Sequence, residues 1–173
     1  TNEAGGIIDD LMITRFADRL HLVVNAAYKH SDFEHLQRAL GDAVELTMED
    51  DQALLALQGP AAAGVMAALC PAAAALNFMQ GCTSAIGGMA VLVQRCGYTG
   101  EDGFEIAVAA AAAEDLARLL LAQPGVEPCG LGARDSLRLL AVNDAFEMHY
   151  GYSRAEALAL RLPDLYPAEE KEP

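Results

Sequence analysis

The sequence predicts an α+β fold, a mixed sheet with helices packed on it. Three observations carry this. Short apolar runs recur with strand-like composition, Gly87-Gly88 stands between two of them as a tight turn, and stretches with helix start and stop signals are interleaved with the runs. A chain of 173 residues has room for one domain, or for one domain and a fragment. At 53% hydrophobic and 21% charged it is richer in apolar residues than a disordered chain.

The elements follow in order. Residues 7–15 read as a strand that turns at Ala17-Asp18-Arg19, and residues 20–25 as the returning strand. Ser31-Asp32-Phe33-Glu34 has the pattern of a capping box, which predicts a helix from there to about Leu40. Residues 43–46 and 53–58 are apolar runs separated by the acidic Glu49-Asp50-Asp51, and read as two strands and a turn. Gly59-Pro60 opens a helix, since proline is tolerated in a first turn, and Pro71 bounds it. Gly87-Gly88 joins strands at 85–86 and 89–94. A further strand covers 104–108. An Ala/Leu-rich helix covers 109–121 and stops at Pro124-Gly125. Residues 133–140 read as helical, with Leu137 and Leu140 on one face.

Charge and cysteine content narrow the function. The formal net charge is -14 and the sequence pI is about 4.4. Such a chain repels phosphate backbones and anionic lipid, so neither nucleic acid nor membrane is an expected partner. No apolar run reaches the roughly 18 residues of a membrane span. The first residues lack the basic start and apolar core of a signal peptide. Cys70, Cys82, Cys96 and Cys129 form no Cys-x-x-Cys pair and read as reduced thiols, which predicts a cytoplasmic protein. No metal site is expected, because the cysteines and histidines do not cluster at ligand spacing. His30 and His35 fall on different helix faces.

Five side chains are candidates for chemistry. Asp10 is the second of the pair Asp9-Asp10 beside an apolar strand, where isolated aspartates are mostly solvated edges or caps. Asn25 ends an apolar run, a common turn position. Tyr98 stands in a glycine-flanked turn and offers a ring face. Glu105 alternates with Phe104 and Ile106, which by simple period two puts it on the solvent face. Arg134 follows Gly130-Leu131-Gly132-Ala133 near a helix start, where a surface ion pair with Asp135 is the plain reading.

Taken together, Gly5-Gly6-Ile7-Ile8-Asp9-Asp10, the run from Arg95 to Ile106 containing Cys96-Gly97-Tyr98-Thr99-Gly100-Glu101-Asp102-Gly103, and Gly130 to Leu139 resemble the T proteins of the glycine cleavage system. These are tetrahydrofolate-dependent aminomethyltransferases. The resemblance covers residues 2–139 and implies a partial T-protein-like folate-binding domain over residues 1–140, with tetrahydrofolate as co-substrate. It implies transfer of a methylene group to tetrahydrofolate, with release of ammonia, from an aminomethyl group on the lipoyl arm of H protein. Asp10 would then lie at the reacting end of the folate, either stabilising developing positive charge or assisting proton transfer at a folate nitrogen. Asn25, Tyr98, Glu105 and Arg134 would hold the folate. A carboxylate at Glu105 suits the paired N–H donors of a pterin's amino-pyrimidine edge.

Residues 141–173 differ in character. Val142-Asn143-Asp144-Ala145-Phe146, Gly151-Tyr152-Ser153 and Leu162-Pro163 resemble the front of a PAS domain, which implies a short helical PAS-like segment over 142–167 followed by a charged tail. With the T-protein pattern giving way near Leu140, a partial pocket and uncovered apolar surface are expected, and with them a homo-oligomer. The alternatives to an enzyme are a non-catalytic folate-binding module and a PAS-type sensory or dimerisation protein.

Overall fold

The computed structural model describes residues 1–16, 18–97 and 101–130. The chain divides into two units, Thr1–Val126 and Glu127–Pro173. The architecture below is that of the first. The sequence-based boundary at 140/141, the predicted helix at 133–140 and the PAS-like segment lie outside the described residues.

Two strands, β1 (Met12–Arg15) and β2 (Leu20–Val23), form an antiparallel hairpin in which Met12 pairs with Val23 and Thr14 with His21. Its turn is closed by the Phe16 N–H donating to the Arg19 carbonyl at 2.8 Å. The expected strand at 7–15 shortens to four residues because β2 offers ladder partners to those four alone. Helix α1 (Lys29–Leu40) follows. It begins two residues ahead of the expected capping box. Ser31 sits inside the first turn and donates its hydroxyl to the Tyr28 carbonyl instead of capping a free N–H.

The larger sheet has four antiparallel strands in the order β3-β6-β5-β4, with β3 at Gln52–Gln58, β4 at Gly81–Ile86, β5 at Met89–Arg95 and β6 at Gly103–Ala109. Residues 43–46 are not a strand. Gly41–Ala43 is a short 3-10 turn, and the extended Val44 pairs with no strand. The Gly87-Gly88 turn is as expected. Both residues have positive φ, 57° and 82°, the geometry a two-residue hairpin needs and glycine permits.

Helices α2 (Ala62–Leu69), α3 (Pro71–Ala74) and α4 (Ala113–Leu121) border the sheet. Phe104, Ile106 and Val108 of β6 join Val91 and Val93 of β5, Met66 of α2, Ala73 of α3, and Leu116 and Leu120 of α4 in one buried cluster. These β6 residues alternate, as one face of a strand must. Ala107 and Glu105, on the other face, are also buried, at 6% and 4% exposure. Central strand β6 is therefore covered on both sides, and the expectation of a solvent-facing Glu105 is wrong. Alternation marks a solvent face only where one side of a sheet is open.

Candidate functional site

The β1-β2 hairpin is tied to this second face of the sheet. Gln94 of β5 donates its side-chain amide to the Thr14 hydroxyl at 2.5 Å, and both residues are 1% exposed. Close approach depends on Gly81. A Cβ there would stand 2.8 Å from the Phe16 ring, 2.9 Å from the Thr14 methyl and 3.2 Å from the Val93 carbonyl.

Beside Gln94 in the ladder stands Glu105. Adjacent partners on one face of a sheet bring their side chains together. Two acceptors here lack a donor among the described residues: Gln94 Oε1 and Glu105 Oε2 are buried without a hydrogen-bond partner. Orphaned acceptors inside a protein are uncommon and costly. His21, paired with Thr14, also senses the Glu105 charge. Burial pushes the His21 imidazole below its ordinary value. Glu49 opposes this, Arg19 adds to it, and Glu105 opposes it.

A second polar group lies at the open end of the hairpin, where Asn25 continues the register opposite Asp10. The Asn25 side-chain amide donates to Asp9 Oδ1 at 2.6 Å and to Asp10 Oδ1 at 3.0 Å, with the Asp10 carbonyl at 3.3 Å. Asp10 is exposed and Asn25 half-buried. The structure thus brings two of the expected site residues, Asp10 and Asn25, into contact. Asp10 and Thr14 differ by four positions, about 13 Å along an extended chain at strand rise.

The loop after β5 has a well-defined neck. Arg95 makes a two-pronged contact with Asp102, Nε to Oδ1 at 2.9 Å and Nη2 to Oδ2 at 2.6 Å, which holds the Asp102 carboxyl below the usual range. Arg95 Nη1 also donates to the Ala74 and Leu76 carbonyls, and the guanidinium carbon lies 5.4 Å from the Phe104 ring centroid. The Cys96 N–H donates to the Gly103 carbonyl, and the Gly59 N–H to that of Asp102. Asp102 thus shapes its turn, as a residue between glycines suggests. Tyr98, inside the loop, and Arg134 lie outside the described residues.

Sequence reasoning missed Thr14, Gln94, Asp9 and Asp32. A lone amide ending the apolar run of β5 was the available signal for Gln94. Nothing local marked Asp32, which the capping-box pattern had explained away. Among the described residues no group of three or more potential ligands is placed to hold a metal ion, and no helix is long and apolar enough to cross a membrane.

The family described as the GCVT N-terminal domain matches residues 1–151, a stretch that passes Leu140 and includes the first part of the PAS-like segment. The aminomethyltransferase of Bordetella parapertussis is 48% identical over 145 residues, covering 81% of this chain and 39% of that protein. The mitochondrial aminomethyltransferase of Dictyostelium discoideum is 41% identical over 157 residues, covering 82% of this chain and 39% of that protein. Among solved structures, the glycine cleavage system aminomethyltransferase T of Bartonella henselae superposes with a TM-score of 0.66 at 44% identity. It covers 79% of this chain and 37% of that one. The chain therefore spans about two fifths of the length of the curated relatives it matches.

Proposed function

The chain belongs to the GCVT N-terminal domain family, and from that premise we propose that it is the folate-binding part of a glycine cleavage aminomethyltransferase. The observation that carries the reading is the orphaned pair Glu105 Oε2 and Gln94 Oε1. Two buried acceptors side by side on one sheet face suit a flat ligand edge rich in N–H donors, and the amino-pyrimidine of a pterin is such an edge. Such a ligand edge would donate hydrogen bonds to both acceptors.

In this reading Asp10 stands at the reacting end of tetrahydrofolate and Asn25 fixes its carboxylate. Tyr98 and Arg134 complete the folate contacts on the strength of the T-protein resemblance. The reaction would move a methylene group from a lipoyl-bound aminomethyl group on H protein to tetrahydrofolate and release ammonia. The protein's contribution is positioning and a carboxylate beside developing positive charge. Four cysteines that form no disulfide among the described residues fit a reducing compartment, which keeps the cytoplasm as the proposed location, although relatives include mitochondrial enzymes. Homo-oligomerisation is supported by the apolar outer side of the hairpin, where Ile13 is 51% and Leu20 60% exposed. The PAS-like resemblance of residues 142–167 rests on sequence alone. The division at 140/141 likewise stays a proposal.

Calorimetric titration of the full chain with tetrahydrofolate tests the reading. Glu105→Gln keeps the shape, turns one acceptor into a donor, and is expected to weaken binding about a hundredfold, the equivalent of one lost charged hydrogen bond. Equal binding by both proteins would remove Glu105 from the site. With binding established, an aminomethyl-transfer assay with lipoylated H protein, comparing Asp10→Asn, separates an enzyme from a binding module.

A further inference from the structure

A side-chain amide carries a donor end and an acceptor end on one flat group, so the partner of one end decides what the other end presents. For Gln94 that partner comes from a distant part of the chain. Its Nε2 donates to Thr14 Oγ1 at 2.5 Å, across 80 positions, and both residues are 1% exposed. Oε1 is left as a buried acceptor with no donor among the described residues. The ladder partner of Gln94 is Glu105, whose Oε2 is buried and orphaned in the same way. Directly paired residues on one sheet face stand close enough for their side chains to serve one group.

Thr14 is itself firmly placed. It pairs with His21 in the hairpin, and its methyl stands over Gly81, where a Cβ would come within 2.9 Å of it. A β-branched side chain with its methyl seated has little freedom left at χ1, so the hydroxyl is aimed as well. Turned over, the Gln94 amide would offer its N–H groups to Glu105 and satisfy that carboxylate from within the protein. The two orientations fill the same space and present opposite edges. The Thr14 hydroxyl supports the one that presents an acceptor.

We propose that Thr14 is a specificity-determining positioning residue: by accepting the Gln94 N–H it keeps Gln94 Oε1 beside Glu105 Oε2 as a two-acceptor site for a primary amino group. An exocyclic amino group has two N–H donors and can give one to each oxygen. A ring edge that carries hydrogen or a carbonyl there leaves both acceptors unpaired, and buried unpaired acceptors are what make discrimination of this kind effective. The site thus selects amino-pyrimidines over their desamino and oxo counterparts. This selection rests on the folate reading, whereas the orientation of the Gln94 amide does not.

The test is calorimetric titration of the full chain with tetrahydrofolate and with its 2-desamino analogue. Thr14→Val keeps the shape and the methyl over Gly81 but has no acceptor, which frees the amide to turn to Glu105. Affinity for tetrahydrofolate should fall about tenfold and that for the analogue by less than about twofold, so the discrimination narrows. Thr14→Ser keeps the hydroxyl and should keep the discrimination. A role in packing alone predicts the reverse order, with valine tolerated and serine impaired. Gln94→Met, which has no oxygen to offer, should narrow the discrimination as valine does and gives the same answer if Thr14→Val does not fold. In the unliganded chain, NMR should show Overhauser contacts from the Gln94 side-chain amide protons to Thr14, moving to Glu105 in Thr14→Val. Contacts to Glu105 in the unaltered chain would overturn the proposal. So would an equal loss of affinity for both compounds in Thr14→Val. Binding of neither compound by the unaltered chain refutes the folate reading and the selection with it, whereas binding of both with an unchanged ratio in the variants refutes the selection alone.

Discussion

The four-stranded sheet and the β1-β2 hairpin on its face are built on opposite terms. Six of the seven residues of β6 are buried, and its Phe104, Ile106 and Val108 are at most 1% exposed. In the hairpin strands Thr14 alone is buried. The sheet brings its own core, whereas the hairpin borrows burial from the sheet through Thr14, Gln94 and Gly81. The polar groups of the candidate site follow the same division: Asp10 and Asn25 adjoin the weakly held hairpin, and Glu105 and Gln94 are set in the rigid sheet. A ligand contacting both would join a firm recognition surface to a deformable reacting end, the pattern in which mobile elements carry function and a core supports them.

The comparison breaks most completely in the sheet. Phe104→Ala removes a fully buried ring from the cluster and is expected to cost about 3–5 kcal/mol in urea denaturation. Because the hairpin depends on the sheet, both should unfold in one transition. A hairpin that keeps its amide protection while the sheet opens would show that the dependence runs the other way.

A smaller and more selective effect is expected at Gly81. The φ there is not the obstacle. The nearest atoms are the end of the Phe16 ring, the Thr14 methyl and a backbone carbonyl. Alanine already requires both the Phe16 ring and the Thr14 methyl to shift, and valine should lift the hairpin, at about 1–3 kcal/mol. Hydrogen exchange should then rise at β1 and β2 and stay unchanged at β5 and β6, with tetrahydrofolate affinity falling in parallel. Uniform exchange across both regions would mean that hairpin and sheet are one cooperative unit.

What was legible in the sequence follows the same line. The sheet announced itself locally. Gly87-Gly88 admits few turns, Pro124-Gly125 ends a helix, and Gly59-Pro60 separates strand from helix. Features that depend on a distant partner were hidden. Glu105 read as solvent-facing because alternation cannot reveal that a hairpin some 90 positions earlier covers its side of the strand. Residues 43–46 have strand composition and no strand to pair with among the described residues. Asp32 read as part of a helix start, yet its side chain is buried and its Oδ2 has no partner among the described residues. Asp10 and Glu105 were singled out as candidates through a family pattern, which records distant pairings that local periodicity does not.

The finest expected difference between the two regions is one of pH. His21 sits at the junction, its ring edge-on to Phe16 at 6.4 Å and 88°, with Nδ1 3.9 Å from a Glu49 carboxylate oxygen. Burial lowers its pKa more than Glu49 and Glu105 raise it, and Arg19 acts in the same sense as burial. The folded chain therefore binds this proton less readily than the unfolded chain. The stability that results is present above the ordinary histidine value of about 6.5 and is lost as pH falls through the folded value. Hairpin amides should accordingly lose protection before sheet amides as the solution is acidified below neutrality. His21→Phe keeps an aromatic edge against Phe16 and has nothing to protonate, so it should flatten that early loss while leaving the later carboxylate-driven loss in place. If the hairpin of His21→Phe opens over the same pH interval as that of the unaltered chain, His21 is not the group that couples it to acid.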